Sequence, residues 1–162
     1  MPLTVSNPRD LYLVALSDIL FVERMLSFEV LPQLMQQVQD AELNKALAEH
    51  REQTHAHAER VERAFRLVGA EPSSAHSPPF MGLKEQHEEV AGSVKDPRLA
   101  DLFHAMAAAH TEHYEIAAYR ALVALAHALE QGEAAELLQA NLAEEEAALE
   151  RAEAAVARLS AA

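Results

Sequence analysis

Apolar residues recur along most of this chain at alternating steps of three and four, which places them on one face of an α-helix. Four such stretches predict four long helices, over residues of about 8–38, 41–68, 97–130 and 133–159. Asn7-Pro8 and Asp96-Pro97 each join a capping side chain to a proline suited to a first helical position. No segment alternates with the period of two typical of a strand, so the sequence predicts an all-α protein.

The lengths of the connections indicate how the predicted helices are arranged. The first and second helices are joined by a few residues, as are the third and fourth, so each pair is expected to form an antiparallel hairpin. Residues 69–96 are long enough to run the length of the bundle and to carry a short helix over about 80–91. Two hairpins joined by one long crossover define the ferritin-like four-helix topology, which we expect as a single domain over residues 1–162.

Pro32 lies inside the first predicted helix. Because proline has no backbone N–H, the carbonyl of Phe28 loses its helical partner, and we expect a kink or a short break there. Two further turns are predicted, at Gly69 and at Gln131-Gly132.

Charge and composition narrow the classes of partner. The 162 residues include 13 Lys and Arg against 26 Asp and Glu, a formal net charge of −13 with histidine neutral. Nucleic acids and anionic membrane surfaces require clustered cations, so neither is expected as a partner. There is no cysteine, which excludes disulfides and cysteine-ligated zinc. The N-terminal residues lack a signal-peptide pattern and no apolar run has membrane-spanning length, so a cytoplasmic protein is expected.

Each predicted core stripe is apolar at both ends and is interrupted near its middle by glutamate or histidine. In an antiparallel hairpin, residues equidistant from the turn lie at the same height, and this rule brings the interruptions level with one another. The sequence therefore predicts that six ligand-type side chains converge on the centre of the bundle. They are Glu23, His50, His57, Glu112, Glu115 and Glu145.

A single histidine in a helix core is more often an ordinary hydrogen-bonded residue, and a glutamate in an acidic chain is usually solvated. Four glutamates on core stripes that carry no Lys or Arg are harder to explain in this way. Burial of unpaired carboxylates costs on the order of several kcal/mol each, and a pair of divalent metal ions would neutralise them. Carboxylate and imidazole ligands suit iron or manganese, and zinc less well. His50 is then either a ligand or a hydrogen-bond partner of one.

The remaining polar residues carry weaker signals. Tyr119 either hydrogen-bonds a ligand or is an ordinary buried tyrosine, and His113 is either close to the site or on the surface. Glu144 and Glu146 are expected to point to solvent. Six further histidines are expected at the surface or in loops: His55, His76, His87, His104, His110 and His127. An alanine-rich face of the third helix, around Ala117 and Ala121, favours a homodimer.

Four stretches carry a resemblance to a known family: DILFVE at 18–23, EHREQT at 49–54, EHYEIAAY at 112–119 and NLAEEE at 141–146. Together they resemble the YciE/YciF family of ferritin-like, rubrerythrin-related bacterial stress proteins. The resemblance covers residues of about 10–157 and implies a four-helix bundle with a dinuclear metal centre and a tie to stress response. It attaches no firm reaction to the family.

The rubrerythrin-like ligand pattern, carried over by this resemblance, assigns ligands to Glu23, Glu112, Glu115 and Glu145. The chain departs from that pattern in two places. The second helix would carry Glu-x-x-His, yet residue 54 is threonine before His57, and the fourth helix has alanine at 148 where a histidine is implied. His50 could compensate in part.

Two functions fit these observations. In the first, an iron or manganese pair reacts with peroxide or oxygen during stress response. In the alternative, the chain is a non-catalytic acidic helical stress or scaffold protein with a structural or degenerate metal site. A storage cage is less favoured, because nothing in the sequence specifies a shell.

Overall fold

The computed structural model describes residues 5–73 and 76–161, and within these residues it contains helices and no strand. The elements are α1 (Pro8–Met25), a π-helical turn (Leu26–Val30), α2 (Leu31–Gln37), α3 (Ala41–Leu67), α4 (Pro78–Ser93), α5 (Pro97–Ala128) and α6 (Gly132–Ser160). The prediction of an all-helical protein is confirmed for the described residues. No helix in these two ranges is long and apolar enough to cross a membrane.

Side-chain caps explain where three of the helices begin. Asn7 accepts a hydrogen bond from the backbone N–H of Asp10 at the start of α1, at 2.9 Å. Asp40 accepts from the N–H of Leu43 at the start of α3, and Asp96 caps α5. These oxygens satisfy N–H groups that have no partner inside the helix, which stabilises each start.

The chain passes Pro32 through a widened turn instead of a break. The N–H of Leu31 donates to the carbonyl of Leu26, five residues back, and residues Leu26–Val30 form the π-helical turn. This turn accommodates a proline that cannot donate to the carbonyl of Phe28. The helical rod therefore continues directly from α1 into α2.

The long helices pack on one another in a closed order. α5 and α6 form the most extensive pair, α6 also packs on α3, α3 packs on α1, and α1 packs on α5. Fully buried side chains fill the space between them, among them Tyr12, Leu16, Phe65 and Leu138. The core is therefore shared by all of the long helices, and a polar group at its centre has little contact with water.

Two helices end in the same way, with one residue in the left-handed region. Gly69 has φ +66° after α3, as the sequence predicts. After α5 the left-handed residue is Glu130, at φ 56°, directly before the turn residues Gln131-Gly132 that the sequence predicts. Gly132 begins α6. A non-glycine residue therefore carries the backbone strain at this turn.

The short helix α4 packs against α5 and contributes to the burial of His104. The prediction that His104 lies at the surface is wrong: it is 3% exposed. Its Nδ1 atom lies 2.9 Å from Nε2 of His87 on α4. The spacing of residues along the four long helices does not predict this burial, because the helix that covers His104 belongs to the crossover.

Candidate metal centre

The six predicted site residues all have buried side chains, and they project from every long helix into the same part of the core. Glu23 comes from α1, His50 and His57 from α3, Glu112 and Glu115 from α5, and Glu145 from α6. Glu23, His57, Glu115 and Glu145 have no exposed surface at all. The heptad-like spacing of each core stripe explains why these positions face inward.

The donor atoms form two groups that overlap at one residue. His50, Glu112, Glu115 and Glu145 each offer a ligand atom, and these atoms all lie within 4.8 Å of one another. Glu23, His57 and Glu145 form a second group by the same measure. Glu145 belongs to both groups, so its two oxygens lie between two candidate positions for an ion.

The individual distances suit atoms that surround a shared ion. Nδ1 of His57 lies 2.8 Å from Oε1 of Glu145 and 3.6 Å from Oε1 of Glu23. Nε2 of His50 lies 3.2 Å from Oε1 of Glu112 and 3.9 Å from Oε2 of Glu145. Ligand atoms about 2.0–2.2 Å from one metal ion lie about 3–4.4 Å from each other. The observed separations fall in or close to this range.

Each of the six residues also has at least one buried side-chain atom without a hydrogen-bond partner. Both oxygens of Glu115 and of Glu145 are unpartnered, as are Oε2 of Glu23 and Oε2 of Glu112. Nδ1 of His57 and Nδ1 of His50 have no hydrogen bond either. Buried polar groups are normally hydrogen-bonded, so this concentration of unpartnered donors and acceptors fits a metal centre.

Electrostatics make the cluster unfavourable without a cation. Burial raises the pKa of Glu112 and of Glu115 well above the usual range, and the neighbouring carboxylates raise it further. Burial also raises the pKa of Glu145, although the adjacent His57 opposes the shift. Among the described residues, no Lys or Arg lies within 4.0 Å of the four buried glutamates. Divalent cations would provide the missing positive charge.

The two histidines differ in their surroundings. Burial lowers the pKa of His50, which leaves its ring neutral and its lone pair free. For His57, burial is outweighed by the carboxylates of Glu145 and Glu23, which raise its pKa to about 11. His57 is therefore charged when it faces the carboxylates alone, and a metal ion at this position would replace its proton.

Glu144 contacts a candidate ligand, and the prediction that it points to solvent is wrong. Its Oε2 atom lies 2.8 Å from Nε2 of His57. Arg60 donates two hydrogen bonds to the same carboxylate, which outweighs burial and lowers the pKa of Glu144. An ionised carboxylate only accepts hydrogen bonds, so His57 donates from Nε2 and turns Nδ1 towards the cluster.

A second hydrogen-bond chain runs from Arg60 through Asn141 and Tyr119 to Glu23. The hydroxyl of Tyr119 donates to Oε1 of Glu23 and accepts from Nδ2 of Asn141 at 3.0 Å. Asn141 also accepts from Arg60 at 2.9 Å. Tyr119 thus contacts a candidate ligand, one of the two alternatives that the sequence left open. Asn141 was missed, because a lone asparagine beside a core stripe gives no metal-ligand signal.

Thr54 and Ala148 occupy the two positions where the resemblance implies ligands. The hydroxyl of Thr54 donates to the backbone carbonyl of His50 at 2.9 Å and lies 3.4 Å from its Nε2 atom. Ala148 lines a small cavity of about 30 Å³ together with His50 and Glu112. The imidazole of His50 therefore lies beside the space that the short alanine side chain leaves.

The other histidines lie outside the cluster. His113 is exposed and lies 3.6 Å from Glu153, which settles its position as a surface residue. His55, His76, His110 and His127 are also exposed. Neither group of donor atoms includes any of them.

The fold and this cluster define an all-helical protein with a buried carboxylate–histidine site that could hold metal ions. The chain belongs to the family described as "Domain of unknown function (DUF892)", whose model matches residues 7–161. The resemblance to YciF is thereby confirmed.

Known relatives agree with this assignment. Protein YciF of Escherichia coli K12 is 32% identical over 142 residues, covering 85% of this chain and 83% of the relative. The crystal structure of the E. coli stress protein YciF matches with a TM-score of 0.91 at 28% identity, covering 96% of this chain and 98% of that one. YcfI from Rhodopseudomonas palustris, proposed to be a structural protein, matches with a TM-score of 0.90 at 31% identity, covering 94% and 97%.

Proposed function

We propose that this protein is a ferritin-like four-helix bundle that binds two iron or manganese ions at the buried cluster and reacts with peroxide or oxygen in stress response. Two antiparallel hairpins, joined by a crossover that carries α4, would form the single domain. The short connections and the order in which the long helices pack support this topology.

The overlap of the two donor groups at Glu145 is the observation that carries the proposal. One ion would take ligands from His50, Glu112, Glu115 and Glu145, and the other from Glu23, His57 and Glu145. Carboxylates and imidazoles are the ligands that iron and manganese use in proteins. A pair of such metals would supply electrons to an oxidant, while the chain would hold the donors in place.

The chain's own residues would set the geometry and the proton balance at this site. Glu144 and Arg60 fix the ring of His57, and Tyr119 fixes Glu23. His50 would take the part of the ligand that is absent at Ala148, because both line the same small cavity with Glu112.

Metal titration tests the proposal directly. Metal-free protein is titrated anaerobically with Fe²⁺, and separately with Mn²⁺, by calorimetry. We expect saturable uptake of between one and two ions per chain. The loaded protein is then oxidised with hydrogen peroxide and re-reduced with added ascorbate, and repeated cycles are followed by absorbance. Absence of stoichiometric binding of either ion would overturn the proposal.

A structural role is the second candidate, and Thr54 and Ala148 are the observations that favour it. A site with fewer ligands than the resemblance implies could hold metal only to stabilise the helices. The relative YcfI is itself proposed to be a structural protein. Metal-loaded protein that gains stability but shows no spectral change with peroxide would favour this candidate over the first.

We also propose a homodimer, a cytoplasmic location and no nucleic-acid partner. Ala117, Ala121 and Ala124 lie exposed along one face of α5, and small residues let two helices approach closely. The net charge of −13 opposes phosphate binding. Light scattering at tens of micromolar measures the mass, and a monomer would exclude the dimer.

A further inference from the structure

A largely apolar cavity of about 230 Å³ adjoins the cluster and opens to the surface between α2, α4 and α5. Its walls include Leu26, Leu34, Phe80, Leu83, Phe103 and Met106. Two residues of the cluster, His50 and Glu112, lie in the same wall. Met106 is 40% exposed, which places the mouth of the cavity on its side of α5.

The buried polar residues of the cavity wall are His50 and Glu112, and each has a side-chain atom without a hydrogen-bond partner. The side chain of Glu112 is only 6% exposed, and its Oε2 atom has no hydrogen-bond partner. His50 is buried next to it, with its Nε2 atom 3.2 Å from Oε1 of Glu112. Of the polar residues in the lining, His50 and Glu112 are buried, whereas the others are exposed or half-buried: Lys84, Gln86, His87, His110 and Thr111. A molecule that enters the cavity therefore meets its most deeply buried polar groups at the candidate metal centre.

The volume and the walls select a small planar molecule. An apolar cavity of about 150 Å³ is sufficient for benzene, so 230 Å³ accommodates a substituted or fused aromatic ring. Phe80 is 2% exposed and contributes a rigid ring to the wall. Phe103 stacks on His87 with an angle of 8° between the ring planes, and this fixes a second aromatic surface. Aromatic ligands pack favourably on such rings.

The charges around the mouth argue against a charged ligand. Lys84 is the one cation in the lining, and it is already paired with Glu88 at 2.6 Å and with Glu29 at 3.3 Å. It is therefore not available to hold a carboxylate or a phosphate. A net charge on the ligand would also lose its hydration against the apolar walls.

We propose that this cavity binds a small neutral aromatic molecule with one hydroxyl or N–H group, which points towards Glu112. The phenol and indole classes meet this description. The inference deepens the proposed function and rests on it in one respect only: the bound molecule would be the electron donor of the metal centre. Two such molecules would each give one electron and the proton of the O–H or N–H group, and one hydrogen peroxide would take both and become two molecules of water. Binding itself depends on the cavity and is measurable with or without metal.

Phenol and indole are the probes, and toluene is the comparison that lacks the polar group. Each is titrated into metal-free and into metal-loaded protein by calorimetry, and chemical shifts of labelled methionine methyl groups report on Met106. We expect saturable binding of one molecule per chain, with phenol at least fivefold tighter than toluene. Decanoate, a flexible chain with a charged head group, is titrated in the same way. Equal affinities of phenol and toluene would overturn the assigned orientation. Tighter binding of decanoate than of phenol would overturn the aromatic class.

Two variants fill the cavity from opposite walls. Ala107→Leu acts from α5 and Leu83→Trp acts from α4, and each should weaken phenol binding at least tenfold. Ala128→Leu is the control, because Ala128 lies exposed at the end of the same helix and outside the cavity. Circular dichroism establishes that each variant is folded. Unchanged affinity in both folded cavity variants would overturn the proposal.

The two proposals fail in distinguishable ways. Saturable phenol binding by a protein that takes up no iron or manganese would remove the metal function and overturn the electron-donor role, while the binding site itself would stand. Stoichiometric metal uptake without saturable binding of any probe would overturn the cavity proposal alone.

Discussion

Nδ1 of His57 lies 2.8 Å from Oε1 of Glu145, and neither side chain has any exposed surface. The two atoms do not have the geometry of a hydrogen bond, so both remain unpartnered in the core. Glu145 is also within reach of the group around His50. A substitution of Glu145 is therefore expected to affect both groups of donor atoms.

Replacement of Glu145 by leucine should separate metal binding from folding. Without metal, the variant should be as stable as the wild type or more stable, because it removes a buried carboxylate from a group of like charges. With metal, it should lose most of the stabilisation that binding confers on the folded state. Urea unfolding of each protein, with and without Mn²⁺, measures both effects.

Glu150→Leu is the matched control for this experiment, since Glu150 lies exposed on the same helix. Its free energy of unfolding should change by at most about 0.5 kcal/mol, with the metal effect intact. Full metal-induced stabilisation in Glu145→Leu would remove Glu145 from the site and with it the overlap of the two donor groups.

Glu144 should influence metal affinity without contacting the metal. It holds the ring of His57 through Nε2, so Glu144→Ala should weaken metal binding by about 10–100-fold. Glu144→Gln keeps an acceptor for the ring and should restore part of the affinity. Glu146→Ala, which removes an exposed pair with Arg120, should leave the affinity unchanged. Metal titration by calorimetry compares the three variants, and similar losses for Glu144→Ala and Glu146→Ala would contradict this role.

The positions of the buried polar residues follow from one rule of helix periodicity. His50, His57, Glu112 and Glu145 interrupt apolar stripes, and a residue in the middle of such a stripe faces the core whatever its polarity. Their common height follows from hairpin geometry. The helix face and the height of each residue both follow from residue spacing along the chain. The sequence alone was therefore sufficient to predict that these residues lie close together.

The residues that were missed depend on contacts between stripes. Glu144 is about 100° round the helix from Glu145, yet it reaches α3 instead of solvent because α6 packs on α3 along that edge. His104 is covered by α4, whose docking position the sequence pattern does not determine. Pro32 predicts an irregularity, but the choice between a break and a π-helical turn depends on the packing of the whole rod.

Glycine in place of Glu130, which has a positive φ, should stabilise the folded protein. In this turn Gln131 donates to the carbonyl of Ala126 at 2.8 Å, a helix-ending motif that normally has glycine at the preceding position. Glu130→Gly should raise the free energy of unfolding by about 0.5–1 kcal/mol, because glycine adopts positive φ without a steric penalty. Thermal and urea unfolding measure the change.

Gly69 provides the reciprocal test, since it occupies the same position after α3. A Cβ atom there would meet nothing within 4 Å, so Gly69→Ala isolates the backbone penalty. It should lower the free energy of unfolding by about 1 kcal/mol. Shifts of the same sign in both variants would contradict the explanation.

Acid should weaken the contact between Asp40 and Arg158. The hydrogen bonds from Arg158, followed by that from the N–H of Leu43, lower the pKa of Asp40 from 3.8 to about 2. A carboxyl group with a lowered pKa in the folded state stabilises the protein above its unfolded pKa, and this contribution disappears as the pH falls through the folded pKa. The loss should therefore occur between pH values of about 4 and 2.

Asp40→Asn keeps an N-cap for α3 but has no carboxyl group to titrate. Its free energy of unfolding should approach that of the wild type as the pH falls through this window. Arg158→Gln should reduce the same pH dependence, since it removes the largest cause of the shift. Urea unfolding at several pH values between 5 and 2.5 makes the comparison, and parallel curves for Asp40→Asn and wild type would contradict it.

Two buried tyrosines offer a matched test of the hydrogen-bond chain beside the cluster. The hydroxyl of Tyr119 contacts both Glu23 and Asn141, whereas the hydroxyl of Tyr12 is buried without a partner. Tyr119→Phe leaves Oε1 of Glu23 without its donor and leaves Nδ2 of Asn141 with only its bond to the backbone carbonyl of His57, so it should lower the free energy of unfolding of the metal-free protein by about 1–3 kcal/mol. Tyr12→Phe removes an unsatisfied hydroxyl and should be neutral or stabilising by up to about 1 kcal/mol. Both rings have no exposed surface, so the difference between the variants isolates the hydrogen bonds from the packing. Urea unfolding of the two variants gives that difference, and equal losses would show that the Tyr119 hydroxyl contributes nothing to the order of Glu23.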